Sequence, residues 1–171
     1  MKIIYCCYSG VHTSLIAAAL HSGELSDATL SWSALASLPF FNRPGPELLG
    51  CPLFVGKSSE GHEVYSLGLG FDRELMQRAM ESFLKVWRIS EREVFVVDAT
   101  RVVNHLTRAG TFLTTVCGWQ LPGGLLFWAG LRQSWPALAR LVAETREKAR
   151  QLTLSTGKGR VIPFPGRKAF L

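Results

Sequence analysis

At 171 residues and 47% hydrophobic content the chain suffices for one domain with a sizeable core, and no run reaches the roughly 18 consecutive apolar residues of a membrane-spanning helix. The net charge of +6 is carried by residues 140–171, which hold eight Lys/Arg against Glu144 and Glu147. A balanced body argues against a nucleic-acid-binding face and leaves a solvated basic tail over 153–171, beyond a single domain over 1–152.

The elements follow in chain order. Residues 2–8 read as an apolar strand, Ser9 to Thr13 as a short turn, and residues 14–21 as an Ala-rich helix. Residues 22–50 are rich in Ser, Pro and Gly and hold at most a short helix around 32–38. Leu53 to Gly56 and His62 to Gly68 read as two strands of a hairpin around the turn at 58–61. Asp72 is placed to cap a helix whose Leu75, Met76, Ala79, Met80, Phe83, Leu84 and Trp87 form an apolar stripe.

Residues 93–98 form a β-branched run typical of a buried strand. Thr100 to Ala109 reads as a short helix stopped by Gly110, and Gly124 to Gly130 as a last strand. Ser134 then caps a final helix with Pro136 in its first turn. This alternation predicts a three-layer α/β fold, a mostly parallel sheet with helices on both faces, Rossmann-like or P-loop-like. Ligands on such sheets bind at the carboxyl ends of the strands.

That rule gathers the candidate site. Between the first strand and its helix, free N–H groups and the positive end of the helix dipole favour a small anion. Ser9, Gly10, Val11, Thr13 and Ser14 are the expected cradle, with Gly68 and Gly70 as a second one after the third strand. The G-x-G is equally read as a tight turn with nothing bound.

Two catalytic templates fit in part. From Cys7 the segment resembles the thiol phosphate loop of low-molecular-weight tyrosine phosphatases, C-x-x-x-x-x-R-S, with Thr13 where the Arg belongs, and the phosphocarrier pattern C-x-x-G-x-x-T-S. It also resembles a deviant P-loop, with His12 for a Gly and Thr13 for the Lys. Without the Arg a phosphatase lacks its bidentate clamp, and without the Lys nucleotide hydrolysis lacks its usual cation. Both templates share Gly10 and Ser14.

Each reactive side chain also has a plain structural reading. Cys7 is a nucleophile if its thiolate is favoured, and otherwise a small buried hydrophobe. His12 is a general acid or base or a phosphate donor. Asp98 orients His12, holds a metal, or caps the following helix. His21 closes the first helix, and Asn104 and His105 face either the cleft or solvent. His12, His62, His105 and Asp98 lack the ligand spacing of a metal site, so no metal is assigned. Cys6, Cys7, Cys51 and Cys117 show neither disulfide-framework nor zinc spacing, and the N-terminus lacks a signal peptide's pattern. Reduced thiols and a cytoplasmic location are expected.

Residues 3–14, followed by Ala17 to Gly23, Gly61 to Gly68 and Val103-Asn104, resemble the uncharacterised bacterial family domain of unknown function 3189. Its opening pattern Y-x-C-[YF]-G-G-x-H-[ST]-S, then A-A-A-I-H-x-G, is matched with Ser9 for the first Gly and Leu20 for the Ile. The likeness covers about residues 1–150. It implies a motif and a bacterial cytoplasmic setting, with no reaction attached. The expected ligand is a phosphorylated small molecule or nucleotide. The alternatives are Cys-dependent phosphoryl transfer or hydrolysis, with His12 or Asp98 as acid, and a non-catalytic interaction module using Trp32, Phe40, Phe41 and the tail.

Overall fold

The computed structural model describes residues 1–26, 30–43 and 45–154. Its centre is a four-stranded mixed sheet in an α/β fold. β1 (Lys2–Cys7) lies between β3 (Glu63–Gly68) and β4 (Val94–Asp98) and is parallel to both, while β2 (Leu53–Lys57) pairs antiparallel with β3 as the outer arm of the expected hairpin. Strand pleating sends alternate side chains of β1 to opposite faces. Ile3 and Tyr5 join the main core, and Ile4 and Cys6 join a smaller cluster with Leu67, Leu69 and Val96.

The main core is closed by α1 (Thr13–Ser22) and α5 (Gln120–Leu154). Every residue of α1 from Thr13 to His21 is buried, and its alanines let Leu138, Val142, Ala149 and Leu152 of α5 approach closely. Gly23, at φ 86°, ends α1 in the left-handed conformation that glycine adopts without strain. On the other face, α3 (Arg73–Val86) begins where expected, with Asp72 accepting the Leu75 N–H at 3.2 Å. Its apolar stripe is used only in part. Leu84 is buried and Met80 packs on the smaller cluster, whereas Leu75, Phe83 and Trp87 are exposed. In the loop region, α2 (Trp32–Ala36) precedes Phe41, which is buried in the main core, and Trp32 stands edge-on to both Phe41 and Trp128.

The second half differs from the sequence expectation. No strand forms over 124–130: those residues are the early turns of the 35-residue α5, and Pro136 lies inside that helix rather than in its first turn. Ser134 is not a cap either, since its hydroxyl donates back to the Gly130 carbonyl at 2.8 Å. Nor does Gly110 stop a helix. Ala99–Val102 is a 3-10 turn, and α4 (His105–Thr115) starts after Asn104 and runs through Gly110.

Close helix packing explains the glycines at 110 and 130. A Cβ on Gly110 would stand 2.3 Å from the Phe127 backbone nitrogen, and one on Gly130 would stand 2.3 Å from that of Thr107. Asn104 pins the same crossing: its Oδ1 accepts from the Thr107 N–H, and its Nδ2 donates to the Gly130 carbonyl at 3.1 Å. Thr153 and Leu154, expected in the tail, belong to α5; the remainder of the tail, 155–171, lies outside the described residues.

Two alanine substitutions test this packing. Gly110→Ala should destabilise the protein by about 1–3 kcal/mol in urea unfolding, because the clash is with backbone that cannot step aside. Gly124→Ala, with nothing within 4 Å of the added methyl, should stabilise it by up to about 1 kcal/mol through helix propensity. Equal stability of the two variants would remove the close-approach account.

Candidate functional site

The turn after β1 is held against the end of β3. Gly10 sits at φ +75°, and a Cβ there would lie 2.6 Å from the Gly68 nitrogen; one on Gly68 would lie 2.7 Å from the Ser9 carbonyl carbon. The Leu69 and Gly70 amides continue the contact by donating to Cys7 O and Tyr8 O, each at 2.9 Å. Gly68 is thus required for backbone packing, and the Gly70 amide is already engaged.

This fit aims donors at one sulfur. Cys7, 5% exposed, receives the Gly10 N–H at 3.2 Å and the Ser14 hydroxyl at 2.9 Å. Ser66 of β3 stands behind, 2.8 Å from Ser14 Oγ and 2.6 Å from the Gly10 carbonyl, and shares its single proton between them. The Ser14 proton is therefore directed to sulfur, because Ser14 Oγ is the acceptor on the Ser66 side. Val11 is wholly buried.

His12 is buried on the other side of the turn, against Phe127 and Phe41 at ring-centroid distances of 5.1 and 6.1 Å. Its Nε2 faces Asn42 Oδ1 at 3.1 Å and its Nδ1 faces Ser9 Oγ at 2.8 Å. Because Oδ1 only accepts, the ring carries its proton on Nε2, and Nδ1 accepts from the Ser9 hydroxyl. Burial pushes the imidazole down to about 4, against the opposing pull of the Asn42 bond. At neutral pH the ring is uncharged, with both nitrogens occupied.

The partner loop is strained to reach it. Phe40 and Asn42 have φ of 66° and 54°, a region costing a non-glycine residue about 1–2 kcal/mol, and the Asn42 N–H is tied to the Val11 carbonyl. His12 also occupies the N-cap position of α1, yet its side chain makes no cap hydrogen bond. The first turn of the helix consequently has no side-chain cap from His12.

A cavity of about 580 Å³ opens above this junction, floored by Cys7, Tyr8, His12 and Thr13. One wall is Gly70, Phe71, Asp72 and Glu74; the other is Thr100 and Val103 with Arg108, Thr111 and Phe112, which share one face of α4. Arg108 is exposed and makes no ion pair among the described residues.

Of the residues singled out in the sequence, Cys7, His12, Thr13 and Gly70 line this cavity, while Ser9, Gly10, Ser14 and Gly68 build the turn beneath it. Asp98 is elsewhere: its Oδ1 accepts the Thr100 N–H and hydroxyl at 2.9 and 2.6 Å, and it borders a separate cavity of about 170 Å³ with Arg101 and Lys148. Asn104 caps α4, and His105 is exposed. Among the described residues no three His, Cys, Asp or Glu side chains group to hold a metal ion. Asn42, Arg108 and Phe112 went unnoticed in the sequence, while Ser66 and Phe71 lie in the segment expected to close the third strand but were given no role. Only Arg108, Thr111 and Phe112 carried a signal, their i, i+3, i+4 spacing.

A second buried imidazole lies at the far end of α1. His21 Nδ1 meets the Tyr5 hydroxyl at 2.8 Å, and its Nε2 has no partner among the described residues. Arg146 of α5 donates to the Leu20 and His21 carbonyls beside it. Burial pushes His21 down to about 4, with Arg146 and His62 adding to the effect and Glu60 opposing it.

The pH dependence follows. Above the ordinary histidine value of about 6.5 neither state binds the proton and these groups contribute nothing. Between about 6.5 and 4 the unfolded chain takes it up first, so stability falls as pH falls. Urea titrations from pH 7 to 4.5 should show His12→Gln and His21→Gln each flattening this loss, by up to about 1.4 kcal/mol per pH unit. A slope unchanged in both variants would contradict buried neutral imidazoles.

No helix among the described residues is long and apolar enough to cross a membrane. No curated protein and no solved structure matches the chain. A family model does match, over residues 2–147, which contain β1, the Cys7 to Ser14 turn and both cavity walls. The chain therefore belongs to the family described as protein of unknown function (DUF3189).

Proposed function

We propose that the chain binds a phosphate-bearing small molecule in the cavity over the end of β1. The observation that carries this reading is the coincidence, in one cavity, of the start of α1, which His12 leaves without a side-chain cap, with the floor residues Cys7 and Thr13 and with Arg108, which has no ion-pair partner among the described residues. Helix-start amides and a guanidinium both favour an anion. On a Rossmann-like reading of the sheet, with helices on both faces, this is also where ligands sit. Ser9, Gly10 and Ser14 hold the turn, and His12 braces it as a neutral strut. Free Cys6, Cys7, Cys51 and Cys117 accord with a reducing, cytoplasmic setting.

A second reading, Cys-dependent phosphoryl transfer, is favoured by the two donors that end on Cys7 Sγ, since Ser14 meets the sulfur as the thiol-loop template requires. In that chemistry Sγ, as the thiolate, attacks phosphorus, the bond to the leaving oxygen breaks as a carboxylic acid on the rim, Asp72 or Glu74, gives that oxygen its proton, and water then cleaves the S–P bond to release phosphate and the free thiolate. His12 is ill placed for this role, being neutral with both nitrogens engaged.

Iodoacetamide labelling resolved by mass spectrometry tests both, because exposed Cys51 and Cys117 serve as internal references. Millimolar inorganic phosphate should slow alkylation of Cys7 several-fold and leave the references unchanged. The same ligand should raise stability as RT ln(1 + [L]/Kd), ~2.7 kcal/mol at a hundredfold excess over Kd. Absence of both effects with phosphate and with phosphate monoesters would end the binding reading. Cys7→Ser should keep binding in either case, and it abolishes turnover of a phosphate monoester only if the second reading holds.

A further inference from the structure

Resting on the phosphate reading, we propose that the ligand is an aryl phosphate monoester, with Arg108 clamping its phosphate and its ring held between Phe71 and Phe112. Three observations lead there. The first is size. A phosphate group displaces only a few waters of ~30 Å³ each, so it fills a small part of about 580 Å³. The cavity lies within the range of roughly 300–1,000 Å³ that holds whole organic ligands.

The second is the character of the walls. Phe71 is 78% exposed and Phe112 50% exposed, and both border the cavity. Tyr8 on the floor stands edge-on to Phe71 at 4.6 Å between centroids, which orients that ring. Aromatic faces left to water beside a polar floor suit a planar ring whose substituent reaches the floor.

The third is charge. The turn carries Thr13 where the thiol phosphate loop has its arginine, so it offers amides and hydroxyls without a cation of its own. Arg108 enters the same cavity from α4 and has no carboxylate partner among the described residues. A planar guanidinium grips phosphate oxygens in pairs, the geometry that the missing arginine would have supplied. Thr111, one turn along α4, adds a hydroxyl to the same wall.

The test compares inorganic phosphate, cyclohexylphosphonate and phenylphosphonate on the full chain, the phosphonates being non-hydrolysable stand-ins for monoesters. Affinity is read from protection of Cys7 against iodoacetamide and from the melting temperature. Phenylphosphonate should bind about 3- to 10-fold more tightly than its cyclohexyl counterpart, the span expected of one aromatic contact. Phe71→Leu and Phe112→Leu, at exposed positions, should each reduce that preference. Arg108→Ala should weaken all three ligands at least about tenfold, and Arg108→Lys should recover part of the loss. Equal affinity for the two phosphonates overturns the aryl assignment, and undiminished phosphate protection in Arg108→Ala overturns the clamp; both leave phosphate binding standing. Failure of all three ligands to protect Cys7 overturns the parent reading and this proposal with it.

Discussion

The contact between Gly10 and Gly68 is the constraint on which the site depends. Each glycine occupies the space that the other's side chain would need, with backbone atoms of the opposing segment 2.6–2.7 Å from either hypothetical Cβ. Relief by side-chain movement is impossible, so a substitution at either position must separate the turn from β3. The donor geometry at Cys7 would go with it, because the Gly10 amide, the Gly10 carbonyl that Ser66 approaches and the start of α1 all belong to this turn. Backbone contact therefore sets the chemistry.

Two buried polar networks flank the turn, and their energetics differ. Protonating His12 at pH 7 against its depressed value costs about 4 kcal/mol, and it would also reverse the Ser9 bond, with the Ser9 hydroxyl turning to accept from Nδ1. The imidazole is better understood as a hydrogen-bonded brace between the turn and the Phe40 to Asn42 loop, whose left-handed residues lie where the brace attaches. Cys7 is the opposite case. Donors converge on its sulfur, and the residue lines the cavity floor.

Much of the first half was legible in the sequence, because its signals are local. An apolar strand ending at Cys7, an Ala-rich helix reaching His21, the hairpin and the Asp72 cap each follow from spacing and capping within about ten residues. The second half misled for a definable reason. Gly124 to Gly130 is a short apolar run bounded by glycines, a pattern that fits a buried strand or a packed helix equally, and only the partner helix decides. Glycines at 110 and 130 that look like breaks are points where two helix backbones touch. The same limit applied to the site: Cys7, Gly10 and Ser14 share one motif, whereas Asn42, Ser66 and Arg108 reach it from three separate elements. Asp98, at a strand end, carried a capping signal that was as valid as the catalytic one, and its Thr100 bonds are those of a cap.

The floor and walls of the cavity also differ in how firmly they are held. The floor belongs to the most buried part of the molecule, where β1 and α1 contribute continuous core and the Ser9, His12 and Ser14 side chains of the turn are each hydrogen-bonded. The Phe71 wall leads into α3, which buries Leu84 and leaves Leu75, Phe83 and Trp87 in water. Segments with few buried apolar contacts open at lower free energy than those inside the core. A ligand that covers Phe71 and Phe112 would thus remove apolar surface from water at the place where the fold has left it uncovered, adding burial to the less stable wall while the floor stays fixed. Under the proposed binding mode, polar geometry below and aromatic surface above would divide recognition between the two, the floor selecting charge and the walls selecting shape.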